Sequence, residues 1–207
     1  MQTLYILPGL ILGFSLHEFA HAFVSDRLGD PTPRAQGRVT LNPAAHIDPL
    51  GLLMLVFFHF GWGKPVQVNP NYYKHRRRGE AAVSLAGVVM NFILAAVGMA
   101  AARIVCALPF AMGGGMLFSI ILQVLMGMVQ INLVLMIFNL IPLPPLDGWG
   151  VVTQIFNLER KTWYWRFYQL GPMFLMLLIV FRLTSHIITP PVMFLQNLLY
   201  ALFFSIG

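Results

Sequence analysis

Long apolar runs dominate the pattern of hydrophobic and polar positions along the chain. A helix needs about 20 mostly apolar residues to cross a hydrocarbon core about 30 Å thick. Five runs are candidates, and they cover residues 4–24, 81–104, 117–141, 167–188 and 191–206. The last run is short and is bounded by Pro190 and Pro191, which end or kink a helix. The pattern predicts an all-α polytopic membrane protein with about five transmembrane helices.

The region between the first two runs has a different pattern. The apolar stretch LGLLMLVFFHF, residues 50–60, is too short to cross as a helix and is followed by Gly61 and Gly63. It is typical of a re-entrant or interfacial segment. Two further stretches, GRVTLNP and GKPVQVNP, alternate apolar and polar residues and end in Asn-Pro. This alternation predicts short strands closed by turns, and hence a small β-element between the first two spans.

Composition supports the membrane assignment. Hydrophobic residues make up 58% of the 207 positions and charged residues 10%, whereas soluble domains have about a quarter of their residues charged. The single Cys106 excludes an internal disulfide and a thiolate metal cluster. We expect one integral membrane domain over residues 1–207, with a core at about 4–150 and C-terminal spans at about 167–206.

The distribution of basic residues indicates how the chain is oriented. The net charge of +6 is explained by the Lys and Arg bias of cytoplasmic loops rather than by nucleic-acid binding. If residues 50–60 do not cross, one side of the membrane carries the KHRRR cluster at 74–78, which suits anionic lipid head groups, and the other carries the uncharged loop LPFAMGGGM. The remaining basic residues on the first side are Arg27, Arg34, Arg38, Lys64, Arg160, Lys161 and Arg166.

The motif HEFAH interrupts the first apolar run with three ionisable side chains. On a helix, His17 and His21 are four residues apart and lie on one face, so both imidazoles reach one metal ion. Glu18 lies beside them, in the general-base position of H-E-x-x-H metalloproteases. A charge at membrane depth costs several kcal/mol, about 2.5–3.5 on insertion scales, and usually marks function. The alternative is a pair of histidines hydrogen-bonded inside a helix bundle.

A catalytic zinc site takes three protein ligands and leaves one position for water, so a third ligand is required. Asp147 is the strongest candidate, in FNLIPLPPLDG, where three prolines end an apolar span. Irregular backbone at membrane depth survives only where protein or water surrounds it, which suits a hydrolytic site. An Asp-Gly turn at the membrane boundary explains Asp147 alone, but it does not explain the polar Asn139 before the prolines.

Together these motifs resemble the site-2 protease family of intramembrane zinc metalloproteases. The resemblance rests on HEFAH and NLIPLPPLDG, supported by GRVTLNPAAHIDPLG, GWGKPV and SLAGVVMN, and it covers about residues 9–150. These segments are most similar to the short, bacterial-type members. The resemblance implies that His17, His21 and Asp147 are zinc ligands, that Glu18 is the catalytic base, and that Asn139 faces substrate or oxyanion.

Other polar residues in the spans have two interpretations each. The family's Gly-x-x-x-Asn element matches Gly87 and Asn91, which suit either a substrate contact or helix packing. Interhelical hydrogen bonding is the favoured role of three residues in the span that ends at Asn139, namely Gln123, Gln130 and Asn132. His46 and Asp48 either support the site or its gate, or cap a turn before Pro49.

The resemblance implies an intramembrane metalloendopeptidase with one Zn²⁺ per chain, acting on transmembrane protein substrates. Its expected location is a bacterial or archaeal plasma membrane, with several spans in the bilayer and the active site open to the cytoplasm. We expect no nucleic-acid partner. The alternatives are a non-catalytic membrane protein that binds or transports metal, and an inactive relative that binds membrane helices. A transport path predicts polar residues continuing to the far side, where LPFAMGGGM offers none.

Overall fold

Helices form most of the described part of the protein. The computed structural model describes residues 2–58, 63–108 and 114–204. These residues form the α-helices α1 Gln2–Arg27, α2 Thr32–Ala35, α3 Pro49–Phe58, α4 Arg76–Ala107, α5 Met116–Asn139, α6 Asp147–Phe156, α7 Tyr164–Val180 and α8 Leu183–Phe204. Short 3-10 helices lie at Pro43–Ala45, Pro70–Tyr72 and Leu158–Arg160. The predicted all-α polytopic class is confirmed.

The number of spans differs from the prediction. Among the described residues, four helices are long and apolar enough to cross a membrane: α1, α4, α5 and α8. The predicted five is therefore wrong, because α7 has only 17 residues. The predicted end of a helix at Pro190 is also wrong, because both prolines lie inside α8. The chain turns earlier, at Arg182, whose φ is 56°. Ile188 and Val192 are buried on either side of the prolines, and such packing supports proline in membrane helices.

Helices α1, α4 and α5 pack closely against one another. Two glycines permit the close approach of α1 and α5, since a Cβ on Gly9 would lie 2.5 Å from Met128 Cα, and one on Gly127 would lie 2.9 Å from the Tyr5 carbonyl oxygen. Small residues allow such contacts where lipid provides no hydrophobic driving force between helices. Helix α8 completes the bundle through a cluster of buried apolar residues: Ala95, Met99, Val129, Leu133, Ile188, Val192 and Leu199.

The predicted β-element is wrong for the part of the chain that the structure describes. Apart from residues 59–62, which are not described, the region between α1 and α4 contains one isolated bridge, between Ile47 and Gly63, and no sheet. Residues 64–69 are not helical. The Lys64 N–H donates to the His46 carbonyl at 2.8 Å as part of that bridge, whereas the Asn69 N–H donates to a side chain, Asp30 Oδ2, at 2.6 Å. The alternating pattern therefore marks a segment anchored to loops and side chains rather than a paired strand.

The helix α3 occupies the apolar stretch for which a re-entrant or interfacial segment is predicted. Its ten residues are too few to cross as a helix, and its depth in the membrane stays a prediction. Residues 59–62, which end the predicted segment, lie outside the described residues. Asp48 caps the helix, because its Oδ1 accepts the N–H groups of Leu50 and Gly51 at 2.9 and 3.0 Å. Of the two interpretations of Asp48, the structure favours the cap.

Asp30 anchors the 64–69 segment to the end of α1. Its buried carboxylate accepts hydrogen bonds from the Ser25 hydroxyl at 2.8 Å, Thr32 N–H at 2.9 Å and Asn69 N–H at 2.6 Å. Burial raises the pKa of Asp30, but the hydrogen bonds from Asn69, Thr32 and Ser25 outweigh it and hold the pKa below its ordinary value. The ionised form is thus the one that holds the loop in place.

We predict that Asp30→Asn lowers the free energy of unfolding by about 1–3 kcal/mol at neutral pH, because an amide cannot accept all three hydrogen bonds. In the wild type this stabilisation is complete above the unfolded-state pKa of about 4. It is lost as the pH falls through the lower folded-state pKa. Thermal unfolding in detergent, followed from about pH 7 into acid, should show the gap between the two proteins closing.

Asp48→Asn provides the matched control. Asparagine caps helices about as well as aspartate, so this variant should unfold within about 0.5 kcal/mol of the wild type. A gap between wild type and Asp30→Asn that stayed constant with pH would contradict the role given to the Asp30 carboxylate.

Candidate active site

The helix α1 presents two imidazoles to the interior of the bundle. His17 and His21 lie one turn apart and are both nearly buried. Their rings meet edge to face, and their Nε2 atoms are 3.0 Å apart. The spacing of four residues therefore directs both Nε2 atoms to one point.

Asp147 reaches the same point from a distant part of the chain. It is the first residue of α6, after the turns that follow α5. Its Oδ2 lies 3.1 Å from His17 Nε2 and 3.4 Å from His21 Nε2. The start of α6 packs closely against the end of α5, since a Cβ on Gly148 would clash with the Leu140 carbonyl group. Only glycine fits where the turn folds back against the end of α5.

A polar network fixes α6 against the start of α4. Gln154 Nε2 donates to Glu80 Oε2 at 2.6 Å and to Glu159 Oε1 at 3.1 Å. The Arg77 guanidinium donates to the Gln154 carbonyl group, while Arg76 pairs with Glu80 at 2.7 Å. This network holds the helix that carries Asp147, and no local pattern in the sequence predicts it.

The hydrogen bonds behind the two histidines determine which ring nitrogens carry protons. His21 Nδ1 lies 2.7 Å from the Val83 carbonyl oxygen, which only accepts, so this nitrogen donates. His17 Nδ1 lies 2.6 Å from Asn91 Oδ1 and donates in the same way. In a neutral imidazole the other nitrogen is then an unprotonated acceptor. With both imidazoles neutral, the two Nε2 atoms direct lone pairs at each other and at the Asp147 carboxylate.

Three electron-rich atoms this close together fit a divalent metal ion. One added proton could be shared by only two of these atoms, whereas a metal ion can bond to all three. Asp147 Oδ2 is buried and has no hydrogen-bond partner among the described residues. In a tetrahedral zinc site with bonds of about 2 Å, ligand atoms lie about 3.3 Å apart, and the observed separations are 3.0, 3.1 and 3.4 Å. The group of His17, His21 and Asp147 can thus hold a metal ion.

Glu18 lines the same cleft as this group. Its Oε2 accepts the N–H of Val66 at 3.0 Å, so the 64–69 segment lies directly over the carboxylate. The cleft has a volume of about 520 Å³, and its wall includes Pro65 and Val68 from that segment. Sequence alone did not reveal the contact between Glu18 and Val66, because the two residues are separated by 48 positions.

The remaining predicted residues divide between the cleft and the bundle interior. Asn139 lines the cleft, and its Nδ2 donates to the Leu135 carbonyl group at 3.0 Å. Asn91 is fully buried behind His17. Its partner in the Gly-x-x-x-Asn element, Gly87, faces the His17 ring, because a Cβ there would lie 2.5–2.6 Å from three ring atoms. Gly87 and Asn91 are four residues apart on α4, which is why both reach His17.

Three of the other histidines, all among the described residues, lie outside the metal-binding group. His46 is buried, and its Nε2 bonds to the Thr40 carbonyl group at 2.9 Å. His75 precedes α4 and His186 lies in α8, while His59 is outside the described residues. The predicted preference for a carboxylate over these histidines as the third member of the group agrees with the geometry.

The fold and this site define a class of protein: a helical membrane protein with a buried group of two histidines and one aspartate suited to a metal ion, and a glutamate beside it. Comparison with known proteins supports this class. The chain is 41% identical over 157 residues to YwhC of Bacillus subtilis, a protein provisionally named a zinc metalloprotease, and the match covers 73% of this chain and 68% of that one. The chain therefore belongs to the site-2 protease family.

Proteins named Rip2, also provisionally zinc metalloproteases, extend the comparison. Rip2 of Mycolicibacterium smegmatis is 31% identical over 163 residues, which are 75% of this chain and 59% of that protein. Rip2 of Mycobacterium tuberculosis is 33% identical over 154 residues, which are 71% of this chain and 55% of that protein. The match thus covers less than two thirds of the Rip2 proteins. No protein-family model and no solved structure matches the chain.

We predict that Gly87→Ala weakens metal binding at least about tenfold, as expected when the orientation of a ligand is disturbed. The added methyl group must displace the His17 ring. Gly98→Ala is the matched control on the same helix, since its Cβ would meet only the Val129 side chain and nearby atoms of the α5 packing surface, at 3.1 Å or more. Zinc affinity, measured by chelator competition on protein in detergent, should fall in the first variant alone. Equal affinities for the two variants would contradict the prediction.

Proposed function

We propose that this protein is an intramembrane zinc metalloendopeptidase that hydrolyses peptide bonds in or near transmembrane segments of membrane proteins. The observation that carries the proposal is the convergence of His17 Nε2, His21 Nε2 and Asp147 Oδ2 in a cleft that also contains Glu18. Membership of a family whose relatives are named as zinc metalloproteases supports it. One Zn²⁺ per chain, held by these three residues, is the proposed cofactor.

The chemistry divides between the metal and the side chains around it. Bound zinc would lower the pKa of a water molecule toward about 7 and polarise the scissile carbonyl group. Glu18 accepts the proton of that water and returns it to the leaving amine, as a general base and then a general acid. The Val66 N–H keeps the Glu18 carboxylate aimed into the cleft. Asn139, on the wall of the cleft, is the proposed donor to the developing oxyanion.

Water access is proposed from the side that carries the basic cluster. His21 bonds to Val83, which is seven residues from the start of α4 at Arg76. At 1.5 Å per residue, the site lies about 10 Å along the helix from that basic end. The rule of positive charge inside makes this the cytoplasmic side. We therefore propose a multi-pass protein of a bacterial or archaeal plasma membrane, with its cleft open to the cytoplasm.

A helical substrate must expose its backbone before hydrolysis, and the 64–69 segment is a proposed receptor for it. Val66 and Val68 line the cleft, and the segment has no strand partner among the described residues. Unwound substrate can add to such a segment through main-chain hydrogen bonds. The proposed partners are thus a transmembrane protein substrate and the lipid bilayer, and no nucleic acid.

The roles of base and ligand predict different phenotypes. Glu18→Gln should bind zinc as the wild type does and lose cleavage by about 10²–10⁴-fold, because it cannot take up a proton. Asp147→Ala should lose both zinc and cleavage. The measurement is reconstitution with a panel of single-span substrates, together with the zinc content of each variant. Zinc binding by the wild type without cleavage of any substrate would favour a metal-binding or transport protein, or an inactive relative.

The receptor role of the 64–69 segment has its own test. Val68→Pro removes one N–H donor and should lower cleavage at least about tenfold, because strand addition depends on main-chain hydrogen bonds. Val68→Ala keeps that N–H and serves as the control. Both variants should keep their zinc. If Val68→Pro cleaved substrate as well as Val68→Ala, addition of the substrate as a strand would be wrong.

A further inference from the structure

Two buried asparagines connect the metal-binding group to the centre of the bundle. Asn91 in α4 and Asn132 in α5 are both fully buried, in helices suited to span a membrane. The sequence predicted interhelical hydrogen bonds for Asn132, Gln123 and Gln130. The two glutamines are exposed on α5 and make no such bond among the described residues. Asn132 alone of the three faces the site.

The hydrogen bonds of these asparagines run in one direction. Asn132 Nδ2 donates to the carbonyl groups of Gly9 at 3.2 Å and Met128 at 2.9 Å. Asn132 Oδ1 accepts from Asn91 Nδ2 at 3.2 Å, and Asn91 Oδ1 accepts from His17 Nδ1 at 2.6 Å. Backbone carbonyl groups only accept, so they fix the orientation of the Asn132 amide. That amide in turn fixes the orientation of Asn91.

The direction of this chain determines how His17 meets a metal. If the Asn91 amide turned over, its NH₂ group would face His17 Nδ1 and favour the tautomer with a proton on Nε2. That proton would point at Asp147 and exclude a metal ion. The outer partners of metal-bound histidines fix both the tautomer and the ring orientation. Asn132 prevents this second orientation of Asn91, because the buried Asn132 Oδ1 must accept a hydrogen bond from the Asn91 NH₂ group.

The packing around Asn132 suits this role. A Cβ on Gly13 would lie 2.6 Å from Asn132 Oδ1, so glycine at that position leaves room for the amide between α1 and α5. A buried amide in a membrane bundle also stabilises helix contacts, but that role requires no particular connection to His17. The observed chain ends on the ring nitrogen opposite the metal-facing one.

We propose that Asn132 is a positioning residue for the metal-facing side of His17, acting through Asn91. This inference rests on the proposed zinc site. It assigns to α5 a part in metal binding, although α5 contributes no atom to the metal-binding group.

Zinc affinity provides a test that does not depend on proteolysis. The full-length protein in detergent is titrated with zinc against a chelator, and cobalt substitution reports the ligand geometry through its visible spectrum. Asn132→Leu should weaken zinc binding about tenfold and alter the cobalt spectrum, as loss of an outer partner does. Asn132→Ser should do the same, because serine can bond back to Met128 within α5 but is too short to reach Asn91. If the leucine variant fails to fold, the serine variant still tests the proposal.

Two controls separate positioning from general stability. Gln130→Leu makes the same kind of change on the exposed face of α5, two residues away. Leu133→Ala opens the buried core next to Asn132 and should lower the unfolding temperature. Both should keep zinc affinity within about twofold and leave the cobalt spectrum unchanged, since neither touches an outer partner of His17.

A double-mutant cycle tests whether Asn132 acts through Asn91. In an Asn91→Leu background, Asn132→Leu should weaken zinc binding by less than about a further twofold. Independent, multiplying effects would overturn the proposal, as would wild-type affinity in both Asn132 variants or an equal loss in Leu133→Ala. If the wild type bound no zinc, this proposal and the proposed function would both fail. If the wild type bound zinc and the Asn132 variants did so equally, only this proposal would fail.

Discussion

The convergence of two imidazole nitrogens and one carboxylate oxygen sets the geometry that the rest of the bundle maintains. His17 Nε2, His21 Nε2 and Asp147 Oδ2 lie 3.0–3.4 Å apart. With both imidazoles neutral, this arrangement of lone pairs is repulsive without a metal ion. Ionisable groups at membrane depth are costly and usually functional. A metal ion relieves the repulsion between the three atoms, so the group suits a metal centre.

The rest of the bundle serves to hold these atoms in position. The Val83 carbonyl group holds His21, Asn91 holds His17, and the network around Gln154 holds the helix of Asp147. Every one of these contacts joins α4 to another helix. Because no water competes for hydrogen bonds inside the hydrocarbon region, the polar contacts behind the two histidines must be satisfied by the protein itself. Helix α4 is therefore the scaffold of the site, although it contributes no atom to the metal-binding group.

The loop between α1 and α4 forms one wall of the cleft that contains the site. Its 64–69 segment is anchored through Lys64 and Asn69 and contacts Glu18 between those anchors. A segment tied at both ends forms a fixed wall of the cleft, and this segment is the proposed receptor for unwound substrate. Asp30, outside the membrane helices, thereby influences the surroundings of a residue that lies within one.

Features that depend on local spacing follow from the amino-acid sequence alone. Four residues between His17 and His21 place both rings on one helix face, and long apolar runs require helices in a membrane. What depends on distant partners was decided by the tertiary structure. The 64–69 segment alternates like a strand, yet its N–H groups bond to Asp30 and Glu18; Pro190 resembles a helix end, yet packing keeps it inside α8. The orientation of Asn91 likewise follows from Asn132, 41 residues away, because a hydrogen-bond chain across helices exists only after the helices have packed.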